Sequence, residues 1–172
     1  PPYMKIAKDS PEASAMPTVC YGAPNLYFLF ASMSLFNLDK NAELVYIIPR
    51  SWTSGAYFKA FREYLLSEGT LRHVHLFVSR DEVFENETVL QETMIIKVDK
   101  SNSRDTVKIT STRSNKDFNN INTIEVPYSV IVYGNDKYVY LVTTTEELKV
   151  LQTLEKWKDT LLTIGLKMKT GV

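Results

Sequence analysis

The stretch over residues 43–49 reads ELVYIIP, an apolar run that ends at a proline. Its length and its β-branched and aromatic side chains predict a strand. Because both faces of this strand are apolar, it is expected to lie in a sheet that helices cover on both sides. Two further strands are predicted over residues 72–78 and 89–98.

Helical patterns flank the first strand. Before it, Pro24 is predicted to be the first residue of a helix that is apolar nearly all round. After it, Ser54 is predicted to cap a helix that ends at Gly69. Residues 1–23 read as a loop with one helical turn near Pro11. Alternating helices and strands predict an α/β fold.

The composition changes after Lys100, where serine, threonine and asparagine become frequent. A short strand is predicted at residues 107–109. A hairpin is predicted from strands 129–133 and 138–142, and a helix from Thr145 to about Trp157. We therefore divide the chain into residues 1–100 and an α+β extension over residues 101–172.

Composition restricts the possible classes of protein. The 172 residues carry 20 basic and 20 acidic side chains, so the chain alone is a poor candidate for strong nucleic-acid binding. Cys20 has no second cysteine to pair with, which favours the reducing cytoplasm. His73 and His75 would share one face of a strand, but no third metal ligand is evident and no metal site is predicted. The longest apolar run is shorter than the roughly 20 residues that span a bilayer, so no membrane partner is predicted.

The order of these motifs resembles the N6-adenine DNA methyltransferases of type II restriction-modification systems, in the TaqI-like motif order. Pro1-Pro2-Tyr3 is similar to the end of their catalytic Asn-Pro-Pro-Tyr motif, and residues 24–27 resemble the start of the helix after it. Residues 47–54 and 82–98 resemble the later sheet strands, and residues 160–171 resemble the lead-in to the target-recognition region.

The resemblance implies the second half of a Rossmann-like sheet that uses S-adenosylmethionine, with double-stranded DNA as partner in a bacterial or archaeal cytoplasm. It implies that Pro1, Pro2 and Tyr3 are catalytic. Tyr3 and Phe84 would bind a flipped adenine. The open alternative is an unpaired aromatic of the N-terminal loop for Tyr3 and a loop-anchoring role for Phe84. Arg50, Ser51 and Trp52 could face the substrate or simply end the strand.

The motif asparagine and the glycine-rich cofactor turn do not occur in this sequence, and no Gly-x-Gly pattern is present. We therefore expect an inactive fragment without cofactor-binding residues, whose strand 43–48 is an apolar edge able to self-associate. Two alternatives stay open. One is a fragment similar to the glutamine N5-methyltransferases of release factors, and the other is a non-enzymatic α/β interaction module.

Overall fold

The computed structural model describes residues 1–22, 24–78 and 92–169. Its helices are α1 (Pro11–Ala15), α2 (Leu26–Phe36), α3 (Lys59–Glu68), α4 (Tyr128–Ile131) and α5 (Thr145–Leu154). Its strands are β1 (Glu43–Pro49), β2 (Thr70–Phe77), β3 (Thr93–Asp99), β4 (Thr106–Thr112), β5 (Asn122–Pro127), β6 (Val132–Tyr133) and β7 (Tyr138–Val139). Helices packed on a mixed sheet confirm the predicted α/β class.

The first five strands form one sheet in the order β1-β3-β2-β4-β5. Strand β3 is antiparallel to both β1 and β2, so β1 and β2 point the same way although they do not touch. Strand β4 runs parallel to β2, and β5 is antiparallel to β4. As predicted, β1 lies at an edge of the sheet among the described strands.

Helices α2 and α3 cover one face of this sheet. Their buried side chains join one hydrophobic core with side chains of β1, β2 and β3, among them Leu44, Ile48, Val74, Met94 and Ile96. The opposite face of β1 is open in the described part of the chain, with Val45 60% exposed and Ile47 37% exposed. The prediction that helices cover this strand on both sides is therefore wrong for these residues, because an apolar run cannot reveal whether a second layer is present.

Two predicted helix starts need correction. Asn25, not Pro24, introduces α2, because its side-chain oxygen accepts a hydrogen bond from the Tyr27 N–H at 3.2 Å. Ser54 does not cap α3, because two short 3₁₀ turns over residues 50–53 and 56–58 precede that helix. The chain therefore turns sharply after β1 before it becomes helical.

Gly69 ends α3 as predicted, but its conformation is extended, with φ of −134°. A Cβ atom at this position would lie 2.5 Å from Val98 Cγ1 and 3.1 Å from the Leu65 carbonyl oxygen. Glycine is therefore required here by the close packing of the turn against β3.

The part after Lys100 continues the same sheet, since β4 pairs with β2. The division of the chain at residue 101 stays a prediction. The hairpin around residues 134–137 is confirmed, but its strands are shorter than predicted and residues 128–131 are helical. Strand β5 was not predicted. No helix in the described ranges is long and apolar enough to cross a membrane.

Candidate functional site

The N-terminal segment is held against the start of α2. The Leu26 N–H donates to the Met4 carbonyl at 2.9 Å, and the Ile6 N–H donates to the Pro24 carbonyl at 2.9 Å. These bonds fix the backbone that follows Pro1-Pro2-Tyr3 and bring it beside the carboxyl end of β1.

Tyr3 lies over this strand end. Its hydroxyl donates to the Ile47 carbonyl at 2.8 Å, and its ring centroid is 6.1 Å from that of Tyr27. The side chain is still 43% exposed, while Pro1 is half-buried and Pro2 is exposed. Tyr3 therefore presents part of its ring to solvent from a fixed position.

A cleft of about 1070 Å³ opens at the carboxyl ends of β1 and β2. One side, which we name the β1 wall, consists of Pro49, Arg50, Ser51, Thr53 and Ser54. The other side, the hairpin wall, consists of Val139, Tyr140, Leu141, Thr143 and Glu147. Ligands of open α/β sheets bind at the carboxyl ends of strands, and Tyr3 lies at the same end of β1.

The three residues that follow β1 separate into two environments. Arg50 and Ser51 line the cleft, and the Arg50 side chain forms an ion pair with Glu92. Trp52 is fully buried, with its ring 5.8 Å from that of Phe61 in a T-shaped arrangement. A substrate-side position is therefore open to Arg50 and Ser51, and Trp52 is a core residue.

Glu147 ties the hairpin wall to helix α5. Its carboxylate accepts hydrogen bonds from the backbone N–H groups of Thr143 at 2.7 Å and Thr144 at 3.3 Å. The Thr144 hydroxyl accepts one from the Glu147 N–H, which completes a capping box. The backbone hydrogen bond from Thr143 lowers the pKa of Glu147, and the carboxylate caps the start of α5.

Arg62, to which no sequence motif pointed, is fully buried in α3. Its Nη1 donates to the carbonyls of Trp52 at 2.9 Å and Gly55 at 3.0 Å, and its Nε donates to the Asp136 carbonyl at 2.8 Å. The available signal was its place in the sequence between Phe61 and the pair Leu65 and Leu66, because a cation among such apolar residues is unexpected.

The two histidines share one face of β2, as predicted. His73 Nε2 and His75 Nδ1 lie 2.8 Å and 2.9 Å from the Thr110 hydroxyl. Burial lowers the pKa of both imidazoles, and Lys108 lowers that of His73 further. They border a smaller cavity of about 440 Å³ on the sheet face opposite α2 and α3. Among the described residues, no three metal-ligating side chains come together.

Phe84 lies outside the described residues. Three of the described glycines do not fit S-adenosylmethionine. A Cβ atom at Gly22, Gly55 or Gly69 would meet Tyr57, Phe58 and Val98 respectively, which are internal packing partners. These glycines serve turns and close packing, and none of them leaves space for the cofactor.

Comparison with known proteins gives concordant matches. Residues 1–84 match the family described as Eco57I restriction-modification methylase. The chain is 37% identical over 149 residues to the type II methyltransferase M.BsuBI of Bacillus subtilis, covering 86% of this chain and 30% of that protein. It is 34% identical over 175 residues to M.PstI of Providencia stuartii, covering 99% of this chain and 34% of that protein.

The chain therefore spans about a third of the length of these relatives. Among solved structures, the type IIG restriction endonuclease BpuSI aligns with a TM-score of 0.51 and 21% identity, over 65% of this chain and 14% of that one. At this identity the alignment supports the fold alone.

Proposed function

We propose that this chain, a member of the type II restriction-modification methyltransferase family, belongs to an enzyme that methylates adenine N6 in double-stranded DNA. Within that enzyme, the chain would supply residues that contact the adenine. The observation that carries this proposal is the position of the Tyr3 side chain, which a hydrogen bond holds at the carboxyl end of β1 while 43% of the residue stays exposed. We also propose that the enzyme works in the cytoplasm of a bacterium or archaeon.

The chemistry requires acceptors beside the amine. The lone pair of an exocyclic adenine amine is delocalised into the ring, which makes the amine a poor nucleophile. Two oxygen acceptors that hold its hydrogens would localise the lone pair on nitrogen as the methyl donor approaches. We assign one of these acceptors to the carbonyl of Pro1, and Pro2 would keep this short segment rigid.

The target atom cannot be reached inside the base stack, so the adenine must leave the duplex. We propose that the exposed part of the Tyr3 ring stacks on the flipped base. The Tyr27 ring packs against the Tyr3 ring, and the Tyr3 hydroxyl is held by its hydrogen bond to the Ile47 carbonyl. Phe84 is proposed as a second aromatic contact with the base.

We place S-adenosylmethionine, which supplies the methyl group, on residues of the enzyme outside this chain. Gly22, Gly55 and Gly69 face internal packing, and the sequence has no Gly-x-Gly turn. The isolated chain is therefore proposed to be inactive. Its own residues are proposed to contribute to binding of the flipped base.

A chimeric enzyme tests the proposal. The segment of M.BsuBI that matches this chain is replaced by the chain, and the product is incubated with DNA and radiolabelled S-adenosylmethionine. We expect N6-methyladenine after digestion to nucleosides. Tyr3→Ala is expected to lower kcat/KM by about 10- to 100-fold, because base stacking contributes about 1–3 kcal/mol. Tyr3→Phe keeps the ring and should retain most activity.

The matched control is Tyr21→Ala, which removes another exposed tyrosine of the N-terminal loop and should have little effect. Label found on cytosine, or a Tyr3→Ala variant as active as the parent, contradicts the assignment. Label found on the glutamine of a peptide substrate would favour the glutamine N5-methyltransferase alternative.

A further inference from the structure

The cleft has two walls that belong to separate sheets. The β1 wall follows the five-stranded sheet, whereas the hairpin wall begins in the two-stranded sheet of β6 and β7. Strand hydrogen bonds therefore do not set the distance between the walls. We propose that Arg62 is a positioning residue that ties the two walls together and so fixes the width of the cleft. This inference rests on the proposed function.

The first half of the tie reaches the turn behind the β1 wall. Arg62 Nη1 donates to the carbonyls of Trp52 and Gly55, at 2.9 Å and 3.0 Å. These two carbonyls bracket Thr53 and Ser54, which line the cleft. A single guanidinium nitrogen therefore holds both ends of the segment that forms this part of the wall.

The second half reaches the hairpin. Arg62 Nε donates to the Asp136 carbonyl at 2.8 Å, and the guanidinium carbon lies 4.8 Å from the centre of the Tyr138 ring. Tyr138 directly precedes Val139, the first residue of the hairpin wall. Lys59, one turn earlier on α3, adds an ion pair to the Asp136 carboxylate at 2.5 Å.

Stability alone does not account for a buried arginine at this position. Removing a cation from water is costly, and an apolar side chain of similar volume often stabilises a core as well or better. Among the described residues, Nη2 of Arg62 is also buried without a hydrogen-bond partner. The planar guanidinium group donates hydrogen bonds in fixed directions, so it sets the angle and the distance between the groups that it joins. A methionine side chain has no such donors.

The test measures the width of the cleft directly. Spin labels are attached at Ser54→Cys and Tyr140→Cys, one on each wall, in a Cys20→Ser background of the 172-residue chain. Distances are then recorded by double electron–electron resonance. We expect one narrow distribution for the parent, a clearly broader one for Arg62→Met, and an intermediate one for Arg62→Lys, which keeps the charge but loses the fork.

Arg104→Met is the matched control. Arg104 also donates to a backbone carbonyl, that of Leu66 at 3.0 Å, and lies 5.7 Å from a tyrosine ring, but it lines neither wall. Its removal should leave the distribution narrow. Amide hydrogen exchange gives a second measurement. In Arg62→Met, the exchange rates of residues 52–55 and 136–138 are expected to rise about 10-fold or more, while those of the five-stranded sheet stay unchanged.

Unchanged widths in Arg62→Met and Arg62→Lys overturn the inference. So does broadening that Arg104→Met reproduces. If Arg62→Met does not fold, Arg62→Lys alone decides. In the chimeric methyltransferase, Arg62→Lys should raise KM for DNA about 10-fold with a smaller change in kcat. A chimera inactive even with Arg62 counts against the proposed function, whereas the distance measurement still tests the tie.

Discussion

His75 shows how a single buried side chain acquires a pH dependence. It is 7% exposed, lies between the hydroxyls of Thr110 and Thr112, and stacks on Phe118 with ring centroids 5.5 Å apart. These neighbours are neutral, so protonation of the imidazole gains no ion pair among them. Burial accordingly lowers the pKa of His75.

The free energy of unfolding is therefore expected to fall as the solution becomes acidic. An unfolded histidine takes up its proton near pH 6.5, whereas the folded His75 resists protonation, so the unfolded chain binds more protons below that pH. The stabilising contribution is complete above about pH 6.5 and is lost below it. Urea unfolding at pH 7.5 and 5.5 should show a lower midpoint at pH 5.5, and His75→Gln should reduce this difference.

Thr123→Ala is the control for that measurement, because Thr123 lines the same cavity and carries no titratable group. It should leave most of the difference in place. If His75→Gln loses as much stability on acidification as the parent, another group is responsible.

The sequence predicted that His73 and His75 share a face, because side chains alternate along a strand. It could not predict Thr110 as their partner, since the register of β4 against β2 is a long-range property.

At the level of the element, the sequence predicted what local patterns determine. The apolar run of β1, the stop at Gly69 and the hairpin at residues 134–137 are all present. Strand β5 was not predicted because Ile124 and Val126 are its only large apolar residues, which makes its alternation too short to stand out, and it forms by pairing with β4. The position of Tyr3 beside Ile47 could not be predicted, because it depends on backbone bonds between residues 4–6 and 24–26.

Strand β1 is proposed to mediate self-association. It is an edge strand with Val45 and Ile47 exposed, and such edges pair with other chains unless charge or proline prevents it. Sedimentation of the 172-residue chain at increasing concentration should show a dimer or larger species. Val45→Lys should return it to a monomer, because a lysine on this face disfavours pairing.

Val150→Lys is the matched control, since Val150 is 57% exposed but lies on helix α5. It should not change the association. A chain that sediments as a monomer at the highest concentration contradicts the proposed role of β1.

For the molecule as a whole, the proposed division of labour is testable by binding. Isothermal titration calorimetry of the isolated chain with S-adenosylmethionine should show no heat of binding, because the sequence has no Gly-x-Gly turn to hold the cofactor. S-adenosylhomocysteine gives the same test without a reactive methyl group. A saturable heat with either compound would show that this chain carries a cofactor site of its own.

The placement of β3 between β1 and β2 also has a consequence for biosynthesis. Strands β1 and β2 leave the ribosome before β3, yet they cannot pair with each other, because residues 93–99 occupy the position between them. Helices α2 and α3 can meet early, but the sheet beneath them closes only when β3 inserts. During translation, β1 and β2 therefore remain unpaired for longer than their position in the chain suggests, an interval in which chaperones would be expected to bind them.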